Sequence, residues 1–294
     1  METLQVTWTD PRGKDWDLTS GAQGVVLDLG QQGLGWAELS HTYGRGGNQR
    51  QASHVTRGKH HFKVLVGSGR RGQSFYDLST EWWQHANSYH QTGRLTITQP
   101  NGTQRYRDLH LADSPDTEYH MDPGLGLQDV VELWSLTGDS PWWYGPEQVK
   151  KYTATDFSGG NSTPFYGPSG AGWPLYISSG ATAAGATIDN EGTGPMWLTW
   201  TLVGPMSNPR VGVAGSVLTY EGDIPAGETV VITTDITNRT VVEASTQQNR
   251  YGSVSGMYAP VPRGTSIPLQ ISAEGMGSSS AIYVSGSPAY ATAF

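Results

Sequence analysis

Residues 188–220 read IDNEGTGPMWLTWTLVGPMSNPRVGVAGSVLTY. Short apolar runs at Ile188–Asn190, Met196–Gly204, Val211–Val213 and Val217–Tyr220 are broken by Glu191-Gly192-Thr193-Gly194-Pro195, Gly204-Pro205 and Asn208-Pro209. Runs this short, rich in β-branched and aromatic residues and bounded by Gly and Pro, are strands rather than helices. The rhythm continues through Glu228–Asp235, Thr240–Ala244, Ile267–Ala273 and Ala281–Ser287, with turn signals at Pro225-Ala226-Gly227, Asn238-Arg239 and Pro260–Gly264. About eight strands at short spacing, with no helical period between them, predict a jelly roll or similar sandwich.

The whole composition agrees. The 294 residues include 39 Gly, 17 Pro and 11 Trp, and only 15% are charged. That profile is mainly β, because helical proteins carry more Lys, Glu and Leu. The length suits about two domains. Residues 1–155 carry 14 basic and 17 acidic side chains, whereas 156–294 carry 4 and 9. The expected division is therefore a first domain over 1–155, a Gly-, Ser- and Pro-rich linker over 156–172, and a second domain over 173–294. Neither half is a basic nucleic-acid module. There is no cysteine, which excludes disulfides and thiolate metal sites. No run is long and apolar enough for a spanning helix, and Met1–Asp10 has no secretory pattern. A protein made and used in the cytosol, or released by lysis, is expected.

The first half predicts a barrel-like or sandwich domain with one helix and one hairpin. Leu4, Val6 and Trp8 alternate as in a strand, followed by the turn Asp10-Pro11-Arg12-Gly13. Phe75, Leu78, Trp82, Ala86 and Tyr89 recur at helical spacing. They predict a helix over 74–92, capped by Ser74 with Asp77 and ended by Gly93. Leu95 to Leu111 predicts a hairpin turning at Pro100-Asn101-Gly102, with Asn-Gly supplying the positive φ angles. Val130–Leu136 alternates as another strand. Leu39 to Tyr76 holds no acidic residue but contains Arg45, Arg50, Arg57, Lys59, Lys63, Arg70 and Arg71. This stretch is either a docking face for an acidic neighbour or an ordinary solvated face. Pro141-Trp142-Trp143-Tyr144 reads first as a packed corner. Its second reading, together with Trp173, is a glycan or partner contact.

Reactive chemistry is nearly absent. There is no nucleophile elbow, and Gly44-Arg45-Gly46-Gly47 and Gly67-Ser68-Gly69 lack the ending of a phosphate loop. His60 and His61 are adjacent on a strand and point to opposite faces, so they do not form a metal pair. Glu221, Asp223 and Glu228 lie around a turn rather than facing each other across a sugar. Trp197 and Trp200 face opposite sides of one strand, so at least one belongs to the core. No catalytic, cofactor or metal residue is assigned, and no enzyme is expected.

The run from Asn190 to Val211, with its N-x-G loop, strand, Gly-Pro and Asn-Pro, resembles the C-terminal domain of siphophage distal tail proteins, particularly minor tail proteins of actinobacterial phages. Gly222–Glu228 and Ile282–Ala289 fit the same scheme. In the first half, the helix, the strand-turn-strand at Pro100-Asn101-Gly102 and Asp139-Ser140-Pro141-Trp142-Trp143 follow in the family's order, with Ser140 inserted. The resemblance implies a ring-forming N-terminal domain and a galectin-like jelly-roll C-terminal domain. It also implies a hexameric ring at the virion tail tip, assembled in the host cytoplasm. Tail tube, tape-measure and hub proteins would be its partners. The resemblance brings no catalytic residue. The alternative reading, which rests on the aromatic residues and not on the resemblance, is a carbohydrate-binding module that recognises a host surface glycan.

Overall fold

The computed structural model describes residues 3–34, 38–44, 50–56, 58–67, 69–85, 91–118, 121–126, 130–157, 181–182 and 185–294. Contacts divide the chain into two units, residues 1–146 with 289–294, and residues 147–288. The last six residues thus return to the first unit. The linker expected over 156–172 lies, apart from its first two residues, outside the described residues.

The first unit holds β1 (Gln5–Thr9), β2 (Asp15–Asp17), β3 (Val25–Leu27), β4 (Glu38–Tyr43), β5 (Arg50–Thr56), β6 (Lys59–Val66), α1 (Gln73–His85), β7 (Gly93–Thr98), β8 (Gln104–Leu111), β9 (Asp116–Glu118), β10 (Val130–Thr137) and β11 (Trp143–Tyr144). In the second follow β12 (Gln148–Thr153), β13 (Ala181–Thr182), β14 (Thr187–Asn190), β15 (Thr199–Val203), β16 (Met206–Val213), β17 (Ser216–Tyr220), β18 (Asp223–Ile224), β19 (Thr229–Thr233), β20 (Thr240–Glu243), β21 (Val254–Gly256), β22 (Thr265–Glu274) and β23 (Ala281–Gly286). The closing strand, β24 (Ala289–Tyr290), pairs with β11 in the first unit.

The first unit is built on a sheet ordered β2-β1-β7-β8-β10-β6-β3. β8 and β10 share only the register Leu136↔Leu111 and Thr137↔His110. The sheet is therefore two halves joined at a corner, and both halves supply one core. Alternation decides which side chains enter it. On β6, His60, Phe62, Val64 and Val66 point in, while Lys59, His61, Lys63 and Leu65 alternate with them on the other face. On β10, the inward set is Val130, Glu132, Trp134 and Leu136. α1 lays Phe75, Leu78 and Trp82 into the same core, as its spacing predicts. Trp82 packs edge-on to Trp16 at 5.0 Å and tilted to Trp134 at 4.8 Å, and Trp134 meets Trp8 at 6.5 Å. Such pairs add about 0.5–1.5 kcal/mol each beyond burial.

Three local details differ from the sequence expectation. α1 starts at Gln73, and Phe75 N–H donates to the Gly72 carbonyl at 3.0 Å, so Ser74 lies inside the first turn and does not cap it. Gln73 rather than Ser74 engages Asp77, donating to Oδ1 at 2.8 Å. Gly93 opens β7 instead of closing the helix. A Cβ there would lie 2.3 Å from the Trp8 ring, so the glycine serves close packing. In the hairpin, Gly102 alone has positive φ, +87°, while Asn101 uses its side chain to accept from Thr103 N–H at 2.9 Å. With Gly102 N–H donating to Gln99 O, and Gln99 N–H to Thr103 O, this is a three-residue turn ending in a left-handed glycine rather than a two-residue Asn-Gly turn.

The second unit is an antiparallel sandwich. One sheet runs β12-β23-β15-β19-β20, and the other β13-β22-β16-β17-β21, with β14 on β22 and β18 on β16. Inward residues of both sheets, among them Trp200, Leu202, Ile232, Ile282, Val211, Leu218 and Ile271, form a single core. All eight strands expected here are present. Trp200 is the core member of its pair, and Trp197 is half-buried. Asn190 pins the loop after β14. Its amide donates to the carbonyls of Gly194 at 2.9 Å, Val261 at 3.0 Å and Pro262 at 3.2 Å, and its oxygen accepts from Gly192 N–H at 2.9 Å.

Candidate assembly surface

The clearest unfinished surface is the ribbon β4–β5. Among the described residues the two strands pair only with each other, from Glu38↔Thr56 to Tyr43↔Arg50, with a register shift between Thr42 and Tyr43. Every residue of β4 is exposed. Alternation places Leu39, His41 and Tyr43 on one face, with Val55 opposite Leu39 and Ser53 opposite His41. Leu39 is 57% and Tyr43 55% exposed. His41 Nδ1 lies 3.0 Å from Ser53 Oγ, and its ring meets Tyr43 edge-on at 6.4 Å. A lone two-stranded ribbon is at best marginally stable in water, and its open edges invite another strand. Its geometry suits burial against a further protein surface.

Of the basic residues that surround this ribbon in sequence, five are described: Arg50, Lys59, Lys63, Arg70 and Arg71. Arg50 is exposed on β5. Lys59 and Lys63 share the solvent side of β6, but each is matched by an acid from outside the acid-free stretch. Lys59 pairs with Asp113 at 2.8 Å and Lys63 with Asp28 at 2.9 Å. Arg70 and Arg71 are exposed in the turn before α1. Arg45 and Arg57 lie outside the described residues, as does Trp173.

The aromatic corner divides. Trp143 is fully buried in the first core, which removes it from the candidate contacts. β11 places it there by pairing on one side with β24 and on the other with β8. Trp142 and Tyr144 are half-buried, and Tyr144 Oη lies 2.6 Å from Ser140 Oγ. Beneath the corner sits a buried pair that the sequence reading missed. Arg107 donates to the Ser140 carbonyl through Nε at 3.1 Å and Nη2 at 2.8 Å, and its Nη1 lies 2.6 Å from His60 Nε2. Burial, with Arg107 beside it, lowers the His60 pKa to about 3, and burial lowers that of Arg107 to about 10. A period-2 count on β6 finds His60 on the inward face; nothing in the sequence names its partner.

Among the described residues no group of three metal-ligating side chains exists. His61 points away from His60 and meets Ser135 Oγ at 3.0 Å. Glu228 pairs with Arg250 at 3.4 Å, while Glu221 and Asp223 stand exposed at the β17–β18 turn.

No protein-family model matches the chain. It is 27% identical over 161 residues to the minor tail protein Gp27 of Mycobacterium phage L5, and the aligned region is 52% of this chain and 48% of that one. The chain thus spans about half the length of the curated relative it matches. Against solved structures the similarity is full-length. SPP1 Dit, described as a paradigm of the hub adsorption apparatus in phages infecting Gram-positive hosts, aligns over 96% of this chain and 98% of its own, with TM-score 0.59 and 11% identity. The chain has the Dit fold. A chain of the phage P2 baseplate in its activated conformation with Ca aligns over 97% and 98%, with TM-score 0.58 and 15% identity. The Dit-like fold therefore includes both units, with their order along the chain, and the mainly β architecture expected from composition is present throughout.

Proposed function

We propose that this chain is a structural component of a phage tail tip that closes a ring of its own copies and joins the tail tube to the distal hub. The full-length correspondence with SPP1 Dit carries this reading, and the partial sequence match to a mycobacteriophage minor tail protein agrees with it. The uncovered β4–β5 ribbon supplies a contact for the ring. Leu39 and Tyr43 on its face are both more than half exposed, and no sheet partner beyond the ribbon itself is found among the described residues. A head-to-tail interface of this kind closes into a ring when the rotation between neighbours is a whole fraction of a turn. Six copies, a galectin-like second unit, tail tube, tape-measure and hub partners, and assembly in the host cytoplasm are part of the same reading. The protein then acts by binding and holding position, with no reaction of its own.

Size-exclusion chromatography with light scattering, followed by negative-stain electron microscopy, tests it. The full chain should give closed rings alone or when mixed with the tail tube protein of the same phage. A strict monomer in both preparations overturns the proposal.

A further inference from the structure

A cavity of about 540 Å³ opens beside α1 in the first unit, lined by Phe75, Tyr76, Ser79, Trp83, Thr117, Asp122, Pro123, Val130 and Glu132. Its size lies in the roughly 300–1,000 Å³ range of ligand pockets. Its chemistry is one-signed. The lining holds two carboxylates and no Lys or Arg among the described residues.

The two acids are held differently. Asp122 is on the exposed rim, where its Oδ1 accepts from Tyr76 Oη–H and from Gly124 N–H at 2.8 Å. Glu132 is 1% exposed, because the period of β10 turns it toward the core. Its Oε2 accepts indole N–H bonds from Trp82 and Trp134, both at 2.9 Å. Three indoles in all hydrogen-bond to this carboxylate, yet burial outweighs them and raises its pKa. The donors that meet this buried carboxyl group are neutral indoles, and no salt bridge to it is found among the described residues. A buried carboxylate without a counter-charge is costly, and a cation beside it gains both the carboxylate and the aromatic faces around it.

We infer that this cavity is a receptor site for one guanidinium or ammonium group on an apolar stem, the stem lying between Tyr76 and Trp83 and the head between Asp122 and Glu132. Tyr76 is 44% exposed and Phe75 buried, so the mouth is amphipathic and the floor apolar except for the acid. The same chemistry is offered by a free alkyl-guanidine and by a basic side chain of another protein chain. The inference does not depend on ring formation, since all the lining residues named belong to one copy.

The probe is butylguanidine, with its uncharged isostere butylurea as control, titrated into the full chain at low salt and pH 8 and followed by calorimetry and tryptophan fluorescence. Butylguanidine should bind at least tenfold more tightly than butylurea. Glu132→Gln and the surface variant Asp122→Asn should each weaken butylguanidine at least tenfold. Asp122→Asn serves where Glu132→Gln fails to fold. Equal affinities for butylguanidine and butylurea, or no loss in Asp122→Asn, overturn the assignment. The source is read in a second arm: butylguanidine that also dissolves self-association identifies a basic side chain of a second copy as the occupant. Butylguanidine binding that leaves association unchanged identifies a free small cation or another protein's side chain. Either supports the site.

Discussion

Acid should unfold the first unit through His60. Arg107 cannot lose its proton near neutrality, since its pKa is about 10, so its Nη1–H donates to His60 Nε2 and fixes the neutral ring with Nε2 as acceptor. Protonating Nε2 would set N–H against N–H in a buried site. The pKa accordingly falls from 6.5 to about 3, burial being the larger cause and Arg107 the next. For a histidine depressed in the fold, the unfolded chain binds the extra proton between the two values. Stability is therefore complete above about pH 6.5 and is lost as pH falls toward 3. At pH 5 the unfolded histidine is favoured by about 1.5 pK units, which is about 2 kcal/mol at 1.36 kcal/mol per unit. Glu132, raised by burial, works in the opposite direction, so the wild-type profile alone is not diagnostic. His60→Gln keeps an acceptor for Arg107 and does not titrate. Urea unfolding at pH 8, 6 and 5, followed by tryptophan fluorescence, should show the wild type losing about 2 kcal/mol relative to the variant between pH 8 and 5. Parallel profiles for the two proteins would refute the reasoning.

Leu39→Asp with Tyr43→Asp should abolish self-association in light scattering while moving the monomer's Tm by less than about 2 °C, because exposed positions cost little. A ring that survives the pair excludes the ribbon as its contact. Asn190→Ala removes four hydrogen bonds in the second unit. Val261 O keeps the Met196 N–H and Pro262 O keeps the Thr265 hydroxyl, while the Gly194 carbonyl and the Gly192 N–H lose the partner that Asn190 gives them. The change should lower that unit's unfolding free energy by about 2–4 kcal/mol in denaturant titrations. Removing residues 289–294 takes away β24, the buried Ala293 and the Thr292 carbonyl that Arg105 holds at 3.0 Å. Hydrogen exchange should then rise in β8 and β11 of the first unit and stay unchanged in β15 and β19 of the second.

The sandwich was legible because its signal is local. Strand alternation and Gly-Pro punctuation lie within a few residues of each other, and all eight expected strands were found. What was missed is non-local. β12 carries Val149 and Tyr152 among two lysines and looks like a loop flank, yet it pairs along the whole of β23, from Gln148↔Gly286 to Thr153↔Ala281. Gly93 stands where a helix-ending glycine is expected, but it is dictated by the Trp8 ring from another strand. Among the candidate contacts, the acid-free run allowed two readings, a docking face and an ordinary solvated face. The fold brings Asp28 and Asp113 to two of its lysines, and no count along the chain could place those acids. Trp143 fits the packed corner that the sequence reading put first, while its second reading as a contact fails; which of the three aromatics enters the core was not legible, since both strands flanking β11 come from distant segments.

The return of the last six residues also bears on how such a protein could transmit force. The second unit leaves the first after Pro146 and the chain re-enters it at Ala289, so two strands connect the units. The outgoing strand β11 and the returning strand β24 are hydrogen-bonded neighbours, Trp143 to Tyr290 and Tyr144 to Ala289. Arg105 adds a clamp, resting over the Tyr290 ring at 3.9 Å and holding Thr292. A pull on the second unit would load two chain segments fixed in one sheet, where a single tether would peel one hydrogen bond at a time. An insertion of this kind keeps the second unit tethered to the first even if one crossing frays, a property that suits the tail-tip role proposed above.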